Sequence, residues 1–353
     1  MASTPAGSPA ALHPTADPAW LASGAEEILE PGLPIVDAHH HLWGPPRGPY
    51  LGAELAADIG EGHRVVATVF ADCTEGYRTD GPEGLRSVGE TEFAAQVARE
   101  AEAGAYGGVL LCAGIFSRVE MRDGAAVAEA LHAHIEAGQG RFKGVRFSSP
   151  WDADPAIRST ARLYTEGLLY DPTVREGIAC LAPLGLTLDT WLYHPQIQDV
   201  ADLAEAFPDT QIILDHVGGP VGTGRYAGKR DEAYAVWRKG VEAVARQPNV
   251  SVKLGGLAME LSGFDFHEGP KPPSSQELAD AWRPYVEPCI ELFGADRAMF
   301  ESNFPVDKFS CSYGLLWNAF KRLAAGASAQ EKTALFSGTA ARVYSLDLSA
   351  ATA

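Results

Sequence analysis

The chain has 353 residues, with 28 Lys and Arg against 46 Asp and Glu, which gives a formal net charge of -18 and a pI near 4.9. With 46% hydrophobic and 21% charged residues it reads as a folded chain with a sizeable core, not as a disordered one. The acidic balance argues against binding nucleic acid or anionic lipid, since both need clustered Lys and Arg to meet phosphate charge.

Five cysteines, Cys73, Cys112, Cys180, Cys289 and Cys311, are scattered and form no C-x-x-C pair, which speaks against a disulfide framework or a cysteine zinc site. Residues 1–30 are rich in Ala, Pro and Ser without a basic start or a continuous apolar stretch, so they do not read as a signal peptide. No run reaches the apolar length needed to span a bilayer. The expectation is a cytoplasmic protein with a flexible extension over 1–30 and one catalytic domain over 31–348.

After the extension, short apolar runs alternate with segments whose apolar residues recur every three or four positions. The runs at 33–41, 64–71, 107–113, 142–148, 186–193, 211–217, 250–256 and 297–304 read as strands. Segments 92–103, 125–136, 174–182, 200–206, 232–246 and 278–293 read as helices. Eightfold alternation predicts an α/β fold, a parallel (β/α)8 TIM barrel. A doubly wound open sheet is the alternative, but that fold places a Gly-rich phosphate turn after its first strand, where this chain has histidines. Residues 312–346 predict two or three C-terminal helices covering the barrel, with Asn318-Ala319-Phe320 and Ala334-Leu335-Phe336 on buried faces. Long loops at 44–62, 72–89, 218–231 and 257–275 follow strands, where a barrel builds its active face. Met259, Phe264, Phe266 and His267 in 255–275 suit either a lid over a partly apolar substrate or a subunit contact.

Chemistry concentrates at strand ends. In Val36-Asp37-Ala38-His39-His40-His41-Leu42-Trp43, strand alternation expects Asp37, His39 and His41 on one face and Val36, Ala38, His40 and Leu42 on the other. Two imidazoles pointing the same way can chelate one metal ion or polarise one carbonyl; a polar rim is the plainer alternative. Arg146 falls on the inward phase of 142–148, where a guanidinium receives a carboxylate or braces a buried acid. Lys143 has the opposite phase, which points it away from that interior. In 186–194, Asp189, Trp191 and Tyr193 fall inward, so Trp191 and Tyr193 are candidate substrate contacts, with core packing the commoner role for Trp191. His194 turns inward only if the strand ends or bulges before it, which the following Pro195 favours.

Four motifs fall in order along the chain: Asp37-Ala38-His39-His40-His41, Phe142-Lys143-Gly144-Val145-Arg146, Leu214-Asp215-His216-Val217-Gly218-Gly219-Pro220 and Phe300-Glu301-Ser302-Asn303-Phe304-Pro305. Together, over residues 33–346, they resemble the lactonase-like branch of the amidohydrolase-related family. The resemblance implies a barrel that hydrolyses a lactone or similar ester, with sugar lactonases, pyrone-dicarboxylate lactonase and metal-dependent decarboxylases as relatives. In metal-using members, two histidines of the first strand, one after the fifth and an aspartate ending the eighth hold a divalent ion such as zinc or manganese. These positions fall on His39, His41, His194 and Asn303. The resemblance also makes His216 a general acid/base or a substrate-orienting group.

Asn303 departs from the family pattern of Ser-Asp followed by an aromatic residue and Pro. An amide neither neutralises a cation nor accepts a proton from water at neutral pH. Either metal binding is weak or absent, or another carboxylate substitutes. Strand alternation places Met299, Glu301 and Asn303 on one face, which makes Glu301 a candidate ligand or base; a buried ion pair with the inward Lys253 is the competing role. Asp307, past the strand end, is placed either to reach into the mouth or, the commoner role, to stand as a solvated loop acid.

The leading expectation is a hydrolase opening a lactone or related carboxylic ester in a histidine-lined mouth, with one divalent metal or in a metal-independent version. Nonoxidative decarboxylation of an aromatic or enoic acid and a noncatalytic ligand-binding barrel are the alternatives. The expected partner is a small molecule, with a carboxylate met by Arg146; nucleic acid and membrane are not expected, and a homodimer fits the class.

Overall fold

The computed structural model describes residues 17–158, 162 and 164–349. Eight parallel strands stand in chain order in one sheet: β1 (Ile35–His40), β2 (Val65–Ala71), β3 (Leu110–Ser117), β4 (Phe142–Ser148), β5 (Thr187–Trp191), β6 (Ile212–Leu214), β7 (Val250–Leu254) and β8 (Ala298–Phe300). Each is followed by a helix: α2 (Gly52–Ile59), α3 (Val88–Glu102), α4 (Val127–Gly138), α5 (Pro172–Ile178), α6 (Ile197–Ala206), α7 (Arg230–Ala245), α8 (Ser275–Phe293) and α9 (Tyr313–Leu323). A short α1 (Pro18–Ala22) precedes the barrel, and α10 (Ala329–Thr333) and α11 (Thr339–Val343) follow it. This is the (β/α)8 barrel with C-terminal covering helices that the alternating pattern predicts. Among the described residues, no helix is long and apolar enough to cross a membrane.

Closure of the barrel happens beyond β8. The Asn303 N–H donates to the His39 carbonyl at 2.9 Å and the His41 N–H to the Phe304 carbonyl at 2.7 Å, so the loop after β8 zips onto the end of β1. Asp37 staples this seam: one carboxylate oxygen accepts the Ser302 N–H at 2.8 Å and the other accepts the Tyr313 hydroxyl at 3.0 Å. The strand that opens the chain is thereby tied to the loop and helix that follow the last one.

Two apolar layers result. Ile35, Phe70, Leu111, Val145, Leu188, Leu214, Val252 and Phe300 pack outward against the helices, whereas Val36, Ala38, Val69, Phe116, Ile213 and Met299 share an interior cluster with Ala340, Val343 and Tyr344. The C-terminal segment lies at the N-terminal end of the strands, because Thr339 donates to the Ala295 carbonyl at 2.8 Å, just before β8, and Lys143 at the start of β4 donates to the Ser345 carbonyl at 3.1 Å. Helix α11 therefore closes the barrel floor, opposite the mouth.

Three expectations are corrected. The third strand runs over Leu110–Ser117, not 107–113, because Gly107 and Gly108 take φ of +70° and +86° and form the turn that enters it. Strands β6 and β8 end at Leu214 and Phe300, three and four residues before the apolar runs do. Finally, the part of 1–30 that is described packs against the barrel instead of standing apart from it. Trp20 donates its indole N–H to the Gly269 carbonyl at 2.9 Å, Lys321 holds the Leu29 and Glu30 carbonyls at 2.7 and 2.9 Å, and Asn318 accepts the Leu29 N–H at 2.9 Å. Residues 1–16 of that expectation lie outside the described residues.

Candidate active site

The site begins with a bulge in β1. Asp37 stands opposite Thr68 while His40 stands opposite Phe70, so three steps along β1 match two along β2. The extra residue breaks strict alternation. Asp37 faces the helices, bound by Tyr313, instead of sharing a face with His39 and His41 as alternation alone expects. His40 also faces outward, with its Nε2 2.8 Å from the Thr68 hydroxyl. His39 and His41 both face the interior, their Nε2 atoms 3.2 Å apart. His41 Nδ1 lies 3.0 Å from the Ala71 carbonyl, an acceptor that puts the His41 proton on Nδ1 and leaves the Nε2 lone pair aimed at His39.

Beneath His39 lies a fully buried charge cluster. The Lys253 ammonium on β7 is 2.7 Å from Asp189 Oδ1, 3.1 Å from Asp215 Oδ1 and 3.2 Å from His39 Nδ1, and it sits 4.1 Å from the centre of the Phe116 ring. Burial works against its charge, but Asp189, Asp215 and Glu301 outweigh burial and hold the lysine above its ordinary value. Lys253 thus pairs directly with Asp189 and Asp215, and not with Glu301, the competing role considered for that residue. Burial also pushes the Asp215 carboxyl up to about 6, against the pull of Lys253.

Glu301 instead joins the histidines. Its Oε1 is 2.6 Å from His216 Nδ1 and accepts the His216 backbone N–H at 3.1 Å, while Oε2 is 3.2 Å from His39 Nδ1. Burial pushes Glu301 up to about 8 and His216 down to about 3; both favour their uncharged forms for the same reason, the loss of water. His39 is held well below the ordinary histidine value by burial and then by the nearby Lys253. The backbone is bent to make this contact. His216, Val217 and Asn303 take φ of +54°, +48° and +53°, conformations that side-chain-bearing residues adopt at a cost of order 1–3 kcal/mol each. Gly255 and Gly256 make room: a Cβ on Gly255 would stand 2.5 Å from Glu301 Cγ, and one on Gly256 2.5 Å from His216 Cγ.

On the other side of His39, Arg146 points inward from β4 as its phase predicts. Its guanidinium binds the Asp72 carboxylate and the Asp72 carbonyl, and one terminal nitrogen is 3.2 Å from His39 Nε2. Asp72 follows β2 in a loop that Glu90 secures by accepting the Cys73 N–H at 2.7 Å and the Glu75 N–H at 3.1 Å. Lys143 faces away from the site, as expected.

The remaining sequence candidates divide. The Trp191 ring meets the His216 ring edge-on, with centres 4.8 Å apart, and packs with Tyr193, Ile157, Val221 and Leu261 in a small apolar cluster of its own. His194 sits past the end of β5, in a short turn over His194–Gln196. Its Nδ1 accepts the Val221 N–H at 3.2 Å, so its proton lies on Nε2. It does not belong to the cluster of His39, His216 and Glu301, whose candidate ligand atoms all lie within 4.8 Å of one another. Asn303 donates its amide to Asp307 at 2.8 Å, and Asp307 also accepts the Ala258 N–H at 3.2 Å. Asp307 is fully buried, not a solvated loop acid. Asp72 and Asp215 are the groups sequence reasoning passed over: Asp215 lay inside a quoted motif beside His216, whereas nothing in the pattern marks Asp72.

These distances permit a direct test of a metal. A spacing of 3.2 Å between His39 Nε2 and His41 Nε2 suits two ligands of one tetrahedral ion at metal–nitrogen distances of about 2.0–2.1 Å, whereas Glu301 meets the opposite ring nitrogen of His39, Nδ1, at 3.2 Å, and the cluster it forms with His39 and His216 does not include His41. The two imidazoles fit an ion, though one short of charge, because Asn303 is neutral and Arg146 brings a second cation to the same nitrogen of His39.

A (β/α)8 barrel with a His-x-His pair, a further histidine and a carboxylate converging past the C-terminal ends of its strands has the architecture of an amidohydrolase-type enzyme. Residues 36–346 match the family model described as Amidohydrolase, and the chain belongs to that family. It is 38% identical over 219 residues, 62% of this chain and 65% of the relative, to the uncharacterized protein y4mH of Sinorhizobium fredii. It is 29% identical over 177 residues, 50% of this chain and 57% of the relative, to an L-fucono-1,5-lactonase of Burkholderia multivorans. The matched regions thus span less than two thirds of either relative. Among solved structures, a Burkholderia multivorans amidohydrolase with bound zinc shares the fold with a TM-score of 0.66 and 23% identity, over 89% of this chain and 99% of that one. A Novosphingobium aromaticivorans 5-carboxyvanillate decarboxylase with manganese does so with a TM-score of 0.55 and 14% identity, over 90% of this chain and 97% of that one.

Proposed function

We propose that this chain hydrolyses a lactone or related carboxylic ester, with His216 as the general base and Glu301 as the group that orients it. The observation that carries this reading is the 2.6 Å contact between His216 Nδ1 and Glu301 Oε1. A carboxylate on Nδ1 places the proton there and frees Nε2 to take a proton from water. The water oxygen would then bond to the carbonyl carbon, and the Arg146 guanidinium beside His39 would meet the negative charge that develops on the carbonyl oxygen. When the ring C–O bond breaks, the proton held at His216 Nε2 passes to the departing alkoxide, leaving a hydroxy acid. A divalent ion held by His39 and His41 would supply Lewis-acid polarisation of the same carbonyl.

Decarboxylation consumes no water and has no use for a base so placed, so the Glu301–His216 pair favours hydrolysis. The L-fucono-1,5-lactonase relatives support the same direction. Incubating the chain with a panel of sugar and alkyl lactones in a pH-stat is expected to release one acid equivalent per lactone, and His216→Ala is expected to lower kcat/KM by about 10²-fold or more. Carbon dioxide evolution without acid release, or an unaffected His216→Ala variant, would sink the reading.

The neutral Asn303 carries its own prediction. Asn303→Asp is expected to tighten zinc binding at least about 10-fold, read by calorimetry on chelator-stripped protein, because a carboxylate adds the missing charge at the position where the resemblance expects an aspartate ligand. Equal zinc affinity in the variant and the parent would exclude an ion site next to Asn303.

A further inference from the structure

The described barrel floor is not passive packing. Tyr344 follows α11, the helix that closes the end of the barrel opposite the mouth, and its side chain is almost fully buried. Its ring stacks on Phe116 with centres 5.9 Å apart, and its hydroxyl donates to Asp189 Oδ1 at 2.5 Å. Lys253 donates to that same oxygen at 2.7 Å. The lysine in turn stands 3.2 Å from His39 Nδ1. A continuous line of short contacts therefore runs from the C-terminal segment through Asp189 and Lys253 to a histidine of the mouth.

We propose that Tyr344 is a positioning residue of the active site: its hydroxyl fixes Asp189, Asp189 fixes the Lys253 ammonium, and Lys253 fixes the plane of the His39 ring. The physical ground is competition. Lys253 has two carboxylates to choose from, Asp189 and Asp215, and it reaches His39 only from a position between them. The Tyr344 hydroxyl holds Asp189 in place from below, so the ammonium cannot drop toward the floor with its partner. Phe116, stacked on Tyr344 and lying under the ammonium, keeps the same column narrow. No helix of the barrel wall supplies this contact; it comes from a segment that the chain adds after its eighth strand–helix unit. The proposal rests on the reading of the mouth as a hydrolytic centre for its kinetic consequence, but not for its structural one.

Tyr344→Phe keeps the stacked ring and removes only the hydroxyl. With L-fucono-1,5-lactone as the probe, kcat is expected to fall about 10-fold with KM within about twofold, the range in which outer partners of a site act. In histidine-labelled protein the His39 imidazole resonances should shift, while the thermal midpoint stays close to that of the parent. Asp189→Asn, which keeps the shape and weakens the hold on Lys253, should change kcat and the His39 signals in the same direction, and it decides the matter if Tyr344→Phe does not fold. A folded Tyr344→Phe chain with unchanged kcat and unchanged His39 signals overturns the proposal. A parent chain that hydrolyses no lactone, combined with His39 signals that still move in Tyr344→Phe, would defeat the lactonase reading and uphold the positioning of His39.

Discussion

Glu301→Gln is expected to lower kcat/KM by about 10²- to 10³-fold and to remove the acid limb of its pH profile. Burial pushes the Glu301 carboxyl up to about 8, so on the acid side of that value Glu301 carries its proton and cannot accept strongly from His216 Nδ1. The active form is the ionised one. For the parent chain, kcat/KM should therefore climb about tenfold per pH unit below pH 8 and level off above it, because the fraction ionised does so. His216, pushed down to about 3, stays neutral across that window and adds no second limb there. Glutamine holds the same shape and cannot ionise, so the variant's profile should be flat from pH 6 to 9 at a low level. A variant that keeps the parent's slope would show that the limb belongs to another group and that Glu301 does not orient the base.

Lys253→Met should cost the most stability. The lysine is fully buried with two fully buried carboxylates in direct contact, and removing the cation leaves Asp189 and Asp215 facing each other without compensation. Breaking a buried ion pair by removing one partner costs about 3–5 kcal/mol, which urea unfolding would measure. The loss should be smaller at pH 5 than at pH 8, because the stranded carboxylates relieve their repulsion by binding protons and Asp215 is already held near 6 in the intact cluster. Lys253→Met combined with Asp189→Asn, which removes one charge of each sign and leaves a single carboxylate, should recover part of the loss. A single variant that unfolds at the parent's urea midpoint at both pH values would mean the cluster carries no net electrostatic weight.

Both predictions concern groups that the sequence displays unevenly. The alternating pattern of apolar runs and amphipathic segments made the eight-stranded barrel legible, and the phase of 142–148 correctly turned Arg146 inward and Lys143 outward, because an unbroken strand alternates its side chains without regard to its neighbours. The same rule failed at β1. There the register against β2 inserts a bulge, and Asp37, which alternation alone puts on the face of His39 and His41, staples the β8–β1 seam instead.

What the sequence determined by itself is the fold and the kinds of group at the mouth: imidazoles, a guanidinium and a carboxylate. Those follow from local periodicity and residue type, which need no knowledge of what lies across the barrel. Only the tertiary structure decided which of these groups meet. Glu301 reaches His216 and not Lys253, Asp307 turns inward to bind Asn303, and Tyr344 enters from the far end to hold Asp189. Each contact joins residues from 4 to 155 positions apart, and none is fixed by the phase of its own strand, because past the strand ends the backbone at His216, Val217 and Asn303 leaves the extended form.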